Sequence, residues 1–187
     1  MILYTVKNGV YYNLEDLSCN TAVALGYFDG LHLGHQKVIS KAVEYKKYGL
    51  TPVVFTFSEN PKCILKHTDE KRIYSQAKKE RKIKNLGVEV LYIVDFPIIQ
   101  NLSPQKFTEE ILFKKLRAKL LTCGFNYHFG KGGKADANDL KNIAEKYGIK
   151  TEIIKPILYE EEPISSTRIR NALKLNNINS AKNMLGI

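Results

Sequence analysis

An α/β fold, built on a five-stranded or larger, mostly parallel sheet with helices on both faces, is predicted by three observations. Short β-branched and aromatic runs alternate along the chain with longer segments of helical spacing. Each run ends in a polar or glycine-rich stretch, the place where such sheets bind ligands. One of those stretches, Gly26-Tyr27-Phe28-Asp29-Gly30-Leu31-His32-Leu33-Gly34-His35, joins an apolar strand to a helix through glycines and two histidines. That is the geometry of an anion site, because unpaired N–H groups and the helix dipole both favour negative charge at a helix start.

The elements follow in order. Ile2 to Val6 and Val10 to Leu14 read as short strands around an Asn8-Gly9 turn, forming a lid or edge before the main sheet. Thr21 to Gly26 is the first core strand, and Gln36 to Tyr48 its crossover helix, closed by Gly49. Thr51 to Phe57 is β-branched and aromatic, hence a strand buried on both faces, and Ser58-Glu59-Asn60-Pro61 ends it in a loop. A lysine-rich helix is expected over Asp69 to Leu86, then a strand over Val88 to Val94 ending at Asp95-Phe96-Pro97. Ser103-Pro104 supplies an N-cap and a proline at N1 for a helix reaching about Arg117. Ala118 to Gly124 and Lys150 to Ile154 are strands flanking a helix over Ala137 to Tyr147, and Asn171 to Leu175 and Ser180 to Leu185 close the chain as short helices. Four strand-end loops, Gly26 to His35, Ser58 to Pro61, Asp95 to Pro97 and Gly124 to Asp136, should converge on one crevice.

A chain of 187 residues suits one domain, 1–187, and 44% hydrophobic with 26% charged residues is a globular composition. No segment is apolar for long enough to span a bilayer and no basic leader precedes an apolar region, so a cytoplasmic protein without a membrane partner is expected. Three widely spaced cysteines without a C-x-x-C pair indicate neither a disulfide framework nor a zinc knuckle; Cys123 reads as a buried structural thiol. The net charge of +10 fits nucleic acid, an anionic membrane or phosphorylated small molecules. Its densest cluster, Lys78 to Lys84, has no interleaved aromatic residue to stack on bases, so a solvated helix face is expected and no nucleic-acid partner.

A second anion-binding arrangement lies at Ile164-Ser165-Ser166-Thr167-Arg168-Ile169-Arg170, where hydroxyls open a helix and guanidinium groups follow. Together with Gly26 to His35, this segment resembles the prokaryotic FAD synthetases, specifically the FMN adenylyltransferase domain of the bifunctional riboflavin kinase/FAD synthetase family within the nucleotidylyltransferase superfamily. Phe55 to Pro61, Leu102-Ser103-Pro104-Gln105-Lys106-Phe107 and Cys123-Gly124-Phe125-Asn126-Tyr127-His128-Phe129-Gly130 match further family segments in the same order.

The resemblance implies a Rossmann-like nucleotidylyltransferase fold and transfer of AMP from ATP to FMN, giving FAD and pyrophosphate, with Mg2+ accompanying the ATP and no protein metal site. FMN supplies its own phosphate nucleophile, so catalysis needs positioning and charge stabilisation rather than a covalent enzyme intermediate. By the same resemblance His32, His35 and Arg170 are catalytic. Gly26, Phe28, Asp29, Gly30, Gly34, Ser165, Ser166 and Thr167 bind ATP, and Phe57, Asn60, Pro61, Asn126 and Phe129 bind the flavin. Asp29 with Gly30 is expected to shape the phosphate loop, and Arg168 to face solvent. Tyr27, Glu59, Asn60 and Ala135 depart from the family pattern, chiefly in the flavin loop. No riboflavin kinase domain is expected within 1–187, which implies FMN from a separate riboflavin kinase. Two other readings share parts of the pattern: a cytidylyltransferase acting on a phosphorylated alcohol, and a catalytically impaired flavin-binding regulator.

Overall fold

The strands assemble because their side chains leave them nowhere else to go: Thr21–Leu25 and Val90–Val94 are buried at every position, as only the inner strands of a sheet covered on both faces can be. The computed structural model describes residues 1–7, 10–12 and 17–187. In chain order these are β1 (Ile2–Lys7), β2 (Val10–Tyr12), β3 (Thr21–Leu25), α1 (Leu33–Glu44), β4 (Thr51–Phe57), α2 (Pro61–Lys66), α3 (Gln76–Asn85), β5 (Val90–Val94) and α4 (Phe96–Ile99). There follow α5 (Pro104–Lys106), β6 (Ala118–Gly124), α6 (Ala137–Glu145), β7 (Lys150–Ile154), β8 (Leu158–Tyr159), β9 (Glu162–Pro163), α7 (Ser166–Lys174) and α8 (Ile178–Leu185). Beyond α5 the helix widens into a π-helical stretch over Phe107–Lys115, with the Leu116 N–H reaching the Ile111 carbonyl.

The main sheet has seven strands in the order β2-β1-β5-β4-β3-β6-β7, parallel throughout except for the β1–β2 pair. Helices α1, α3, α7 and α8 cover one face, where Val38, Ile39, Ile83, Ile169 and Met184 meet Ala22, Ala24, Val54 and Leu91. The π-helical stretch and α6 cover the other, where Phe107, Leu112, Leu116 and Leu140 meet Val23, Val53, Phe55 and Leu121. Strand β3 has β4 on one side and β6 on the other, so the chain order reverses there. The carboxyl end of β3 therefore opens onto the crevice where a doubly wound sheet binds ligands.

Several elements differ from expectation. Of the lid or edge expected of the first strands, the structure has the edge: β2 and β1 end the main sheet, with β1 paired in parallel to β5 from Ile2↔Val90 to Val6↔Val94. The turn expected at Asn8-Gly9 and the end of its second strand, Asn13 and Leu14, lie outside the described residues. Helix α1 begins at Leu33, three residues earlier than its apolar spacing indicates, because His32 caps it. Helix α3 begins only at Gln76, where the Ser75 hydroxyl accepts the Lys78 N–H, so 69–75 run as a strap toward the phosphate loop. Helix α2 and the β8–β9 hairpin are additional, the first opened by Pro61 behind an Asn60 cap.

Candidate active site

The turn after β3 is compressed. Phe28, Gly30 and Leu31 all carry left-handed backbone, with φ of 57°, 75° and 45°. For Phe28 and Leu31 this costs on the order of 1 kcal/mol each, offset by side chains that are each 1% exposed. The Phe28 ring folds back so far that a Cβ on Gly26 would lie 2.9 Å from it, and one on Gly34 would lie 3.2 Å from the His32 ring. These glycines are where they are because the rings need the space. Gly30 packs instead against Ile73 and shapes the turn from behind, without lining the cleft.

His32 and His35 stack at 3.6 Å between ring centroids and 20° between planes. The His32 Nδ1 accepts the His35 backbone N–H at 3.4 Å, so the imidazole caps the helix and does more besides. With Nδ1 accepting, the neutral ring carries its proton on Nε2. Burial holds His32 neutral, its pKa lowered to about 4. His35 is pushed well below the ordinary range by burial first and then by its neighbours His32, with which it cannot share a second proton, and Lys79, and its Nδ1 is buried without a hydrogen-bond partner among the described residues. At neutral pH the pair is two uncharged imidazoles beside the N–H groups of Leu33 and Gly34, which have no carbonyl one turn earlier to bond. The arrangement offers donors without repelling cations.

Across the cleft stands the start of α7. The Ser165 hydroxyl accepts the Arg168 N–H as N-cap, the Ser166 hydroxyl donates to the Asp29 carbonyl at 2.9 Å, and Thr167 lines the opening. Arg170 reaches back to the phosphate loop, pairing with the Asp29 carboxylate at 2.5 Å and with Glu70 at 3.0 Å, while its Nε donates to the Lys71 carbonyl. The second Asp29 oxygen accepts the Ile73 N–H at 3.1 Å. Asp29, 5% exposed, thus ties together the loop, the strap over 70–73 and α7.

The cleft between these groups has a volume of about 660 Å³, within the range of small-molecule sites. Its far end is aromatic: Phe57 packs edge-on against Phe96 at 5.5 Å, and Tyr127 stacks on Phe129 at 5.8 Å. Asn60 and Pro61 form one lip at the start of α2, with the Asn60 side chain accepting the Lys62 N–H, and Asn126 forms another.

A family model described as FAD synthetase matches residues 14–168. The chain belongs to the FAD synthetase family. It is 34% identical over 178 residues to the bifunctional riboflavin kinase/FMN adenylyltransferase of Buchnera aphidicola subsp. Acyrthosiphon pisum, covering 94% of this chain and 57% of the relative. To the FAD synthetase of Listeria monocytogenes it is 28% identical over 167 residues, covering 88% of this chain and 68% of the relative. A solved structure described as a macrolide-efflux protein from Streptococcus pneumoniae matches 100% of this chain and 60% of its own, with 35% identity and a TM-score of 0.82. Among the described residues no helix is long and apolar enough to cross a membrane. This FAD synthetase family chain therefore spans little more than half the length of the first relative.

Except for Gly30, the residues that the sequence singles out as catalytic, ATP-binding or flavin-binding all line this one cleft, although they come from four separate segments. Two expectations fail. Arg168 does not face solvent: its NH1 donates to the Tyr159, Glu162 and Pro163 carbonyls and its Nε pairs with Glu162, because the β8–β9 hairpin folds over it. The lysine cluster is not wholly a solvated face either. Lys78, Arg81 and Lys84 are exposed, but Lys79 is 5% exposed, one helical turn before the buried Ile83. That i, i+4 register with an apolar position was the available signal for Lys79.

Proposed function

We propose that this chain transfers the adenylyl group of ATP to FMN, releasing pyrophosphate. The observation that carries the reading is the pair of facing phosphate sites: stacked neutral imidazoles at the start of α1 on one wall, and the Ser165 to Arg170 turn on the other, with an aromatic compartment beyond. An oxygen of the FMN phosphate attacks the α-phosphorus of ATP, and the bond to the bridging oxygen of the β-phosphate breaks. No side chain need become a nucleophile. His32 and His35 donate hydrogen bonds as charge builds on the α-phosphate and the leaving pyrophosphate, while Thr167 and Arg170 meet the β- and γ-phosphates.

Magnesium is expected as a companion of ATP and would supply positive charge to its phosphates. The protein offers it little: both Asp29 oxygens are already engaged, by Arg170 and by Ile73. Flavin contacts are assigned to Phe57, Asn60, Pro61, Asn126 and Phe129, and a cytoplasmic location completes the proposal.

The test is incubation with ATP, Mg2+ and FMN and chromatography for FAD. FAD and pyrophosphate in equal amounts are expected. Turnover with CTP and a phosphorylated alcohol in their place would favour the cytidylyltransferase reading, and tight FMN binding without pyrophosphate release would favour the regulator.

A further inference from the structure

Lys79 is the one buried cation of the described residues that the proposed mechanism leaves without a task. It leaves α3 and runs inward beneath the phosphate loop, where its ammonium donates to the Tyr27 carbonyl at 2.5 Å and to the Thr56 hydroxyl at 3.0 Å and sits 4.5 Å from the Tyr27 ring centroid. Thr56 in turn donates to the same Tyr27 carbonyl at 2.9 Å. Among the described residues no carboxylate forms an ion pair with Lys79. The charged and titratable groups that face it are Asp29 and Tyr27 from the loop, Arg72 from the strap, Glu80 on its own helix and His35 from α1. Asp29 is already paired with Arg170.

A buried ammonium held only by neutral oxygens is costly, and a chain keeps one where an anion completes it or where it fixes backbone that nothing else holds. Here the ammonium and the Thr56 hydroxyl together hold one backbone carbonyl, and a bound phosphate would complete the charge. Tyr27 is the residue at which the chain leaves β3 and enters the left-handed turn at Phe28, so its carbonyl is the root of the phosphate loop. We infer that Lys79 is a positioning residue: its ammonium fixes the loop through the Tyr27 carbonyl and is the buried countercharge for the nucleotide phosphates bound on the loop's outer side. The inference rests on the adenylyl-transfer reading for the identity of that nucleotide.

A consequence separates this from a structural role. Burial lowers Lys79 to about 7, with the Asp29 charge opposing the shift and Arg72 adding to it. In the ligand-free protein at pH 8 it is mostly neutral, and the phosphates draw a proton onto it as they bind. ATP itself is already fully ionised at that pH.

The experiment is isothermal titration calorimetry of the full chain with ATP and Mg2+ at pH 8, in two buffers of different ionisation enthalpy. Wild type should take up roughly half a proton or more per ATP, the amount expected of a group shifted upward from about 7. Lys79→Met should abolish that uptake and weaken binding at least fivefold at pH 6.5; Lys79→Arg, charged at every pH, should bind as wild type at pH 6.5 and lose no affinity between pH 7 and 9. No uptake by wild type, a measurement that needs no variant to fold, overturns the inference, and so does uptake unchanged in Lys79→Met. FAD formation is measured in parallel. Proton uptake without FAD retains the Lys79 assignment and defeats adenylyl transfer; FAD without uptake does the reverse.

Discussion

Asp29 and Arg170 lie 141 positions apart in the chain and meet in an ion pair of 2.5 Å, with the carboxylate 6% and the guanidinium 15% exposed. Through it the first phosphate loop and the second hold each other in place. A pair this enclosed is strongly destabilising to break from one side, because the other charge is then stranded, by roughly 3 kcal/mol.

Asp29→Asn should therefore lower the urea midpoint by an amount matching about 2–3 kcal/mol and slow FAD formation at least tenfold. Arg170→Gln in the same background should cost much less than it does alone. Additive losses in that cycle would show that the two phosphate sites are independent.

The imidazole pair sets an acid limit. For His32 the folded pKa, about 4, lies below the ordinary 6.5, so between those values the unfolded chain binds more protons than the folded one. Stability rises with pH across that window and is lost as pH falls through it, by up to about 3 kcal/mol for His32 alone. Urea unfolding at pH 7 and pH 5 should show the loss, and His32→Gln should flatten it. A slope unaltered by His32→Gln would place the acid sensitivity elsewhere.

Much of this site was legible in the sequence, for a physical reason. The glycine and histidine pattern of Gly26 to His35 and the hydroxyl-rich start of α7 are local devices, each readable from a few residues, and β4, β6 and β7 have their expected bounds because each is a short run marked off by turn residues or a helix end. What escaped is non-local. Arg168 is half-covered by a hairpin whose two-residue turn, Glu160 and Glu161, lacks the usual glycine, and both residues have positive φ. Lys79 was hidden in a run of like residues, since charge alone does not say which lysine of a helix points inward.

Cysteine chemistry offers a probe of the same core. Burial pushes the Cys123 thiol up to about 12, whereas Cys19 and Cys63 are only half-buried. Alkylation of the folded protein should label Cys19 and Cys63, with Cys123 labelled only at the rate of global unfolding. Early labelling of Cys123 would mean that β6 opens locally.

The flavin loop departs most from the family pattern, and Asn60 shows how it still forms. Its side-chain oxygen caps α2 by accepting the Lys62 N–H at 3.0 Å, which sets Pro61 and the lip of the cleft. An N-cap replaced by alanine costs about 1 kcal/mol, while aspartate or serine retains the bond. Asn60→Ala should raise the KM for FMN about fivefold with little change in kcat or in the KM for ATP, and Asn60→Asp should restore it, because only the flavin side of the cleft depends on α2. If Asn60 instead contacts the flavin through its amide, Asn60→Asp will be as poor as Asn60→Ala, and steady-state kinetics with each substrate varied in turn separates the two.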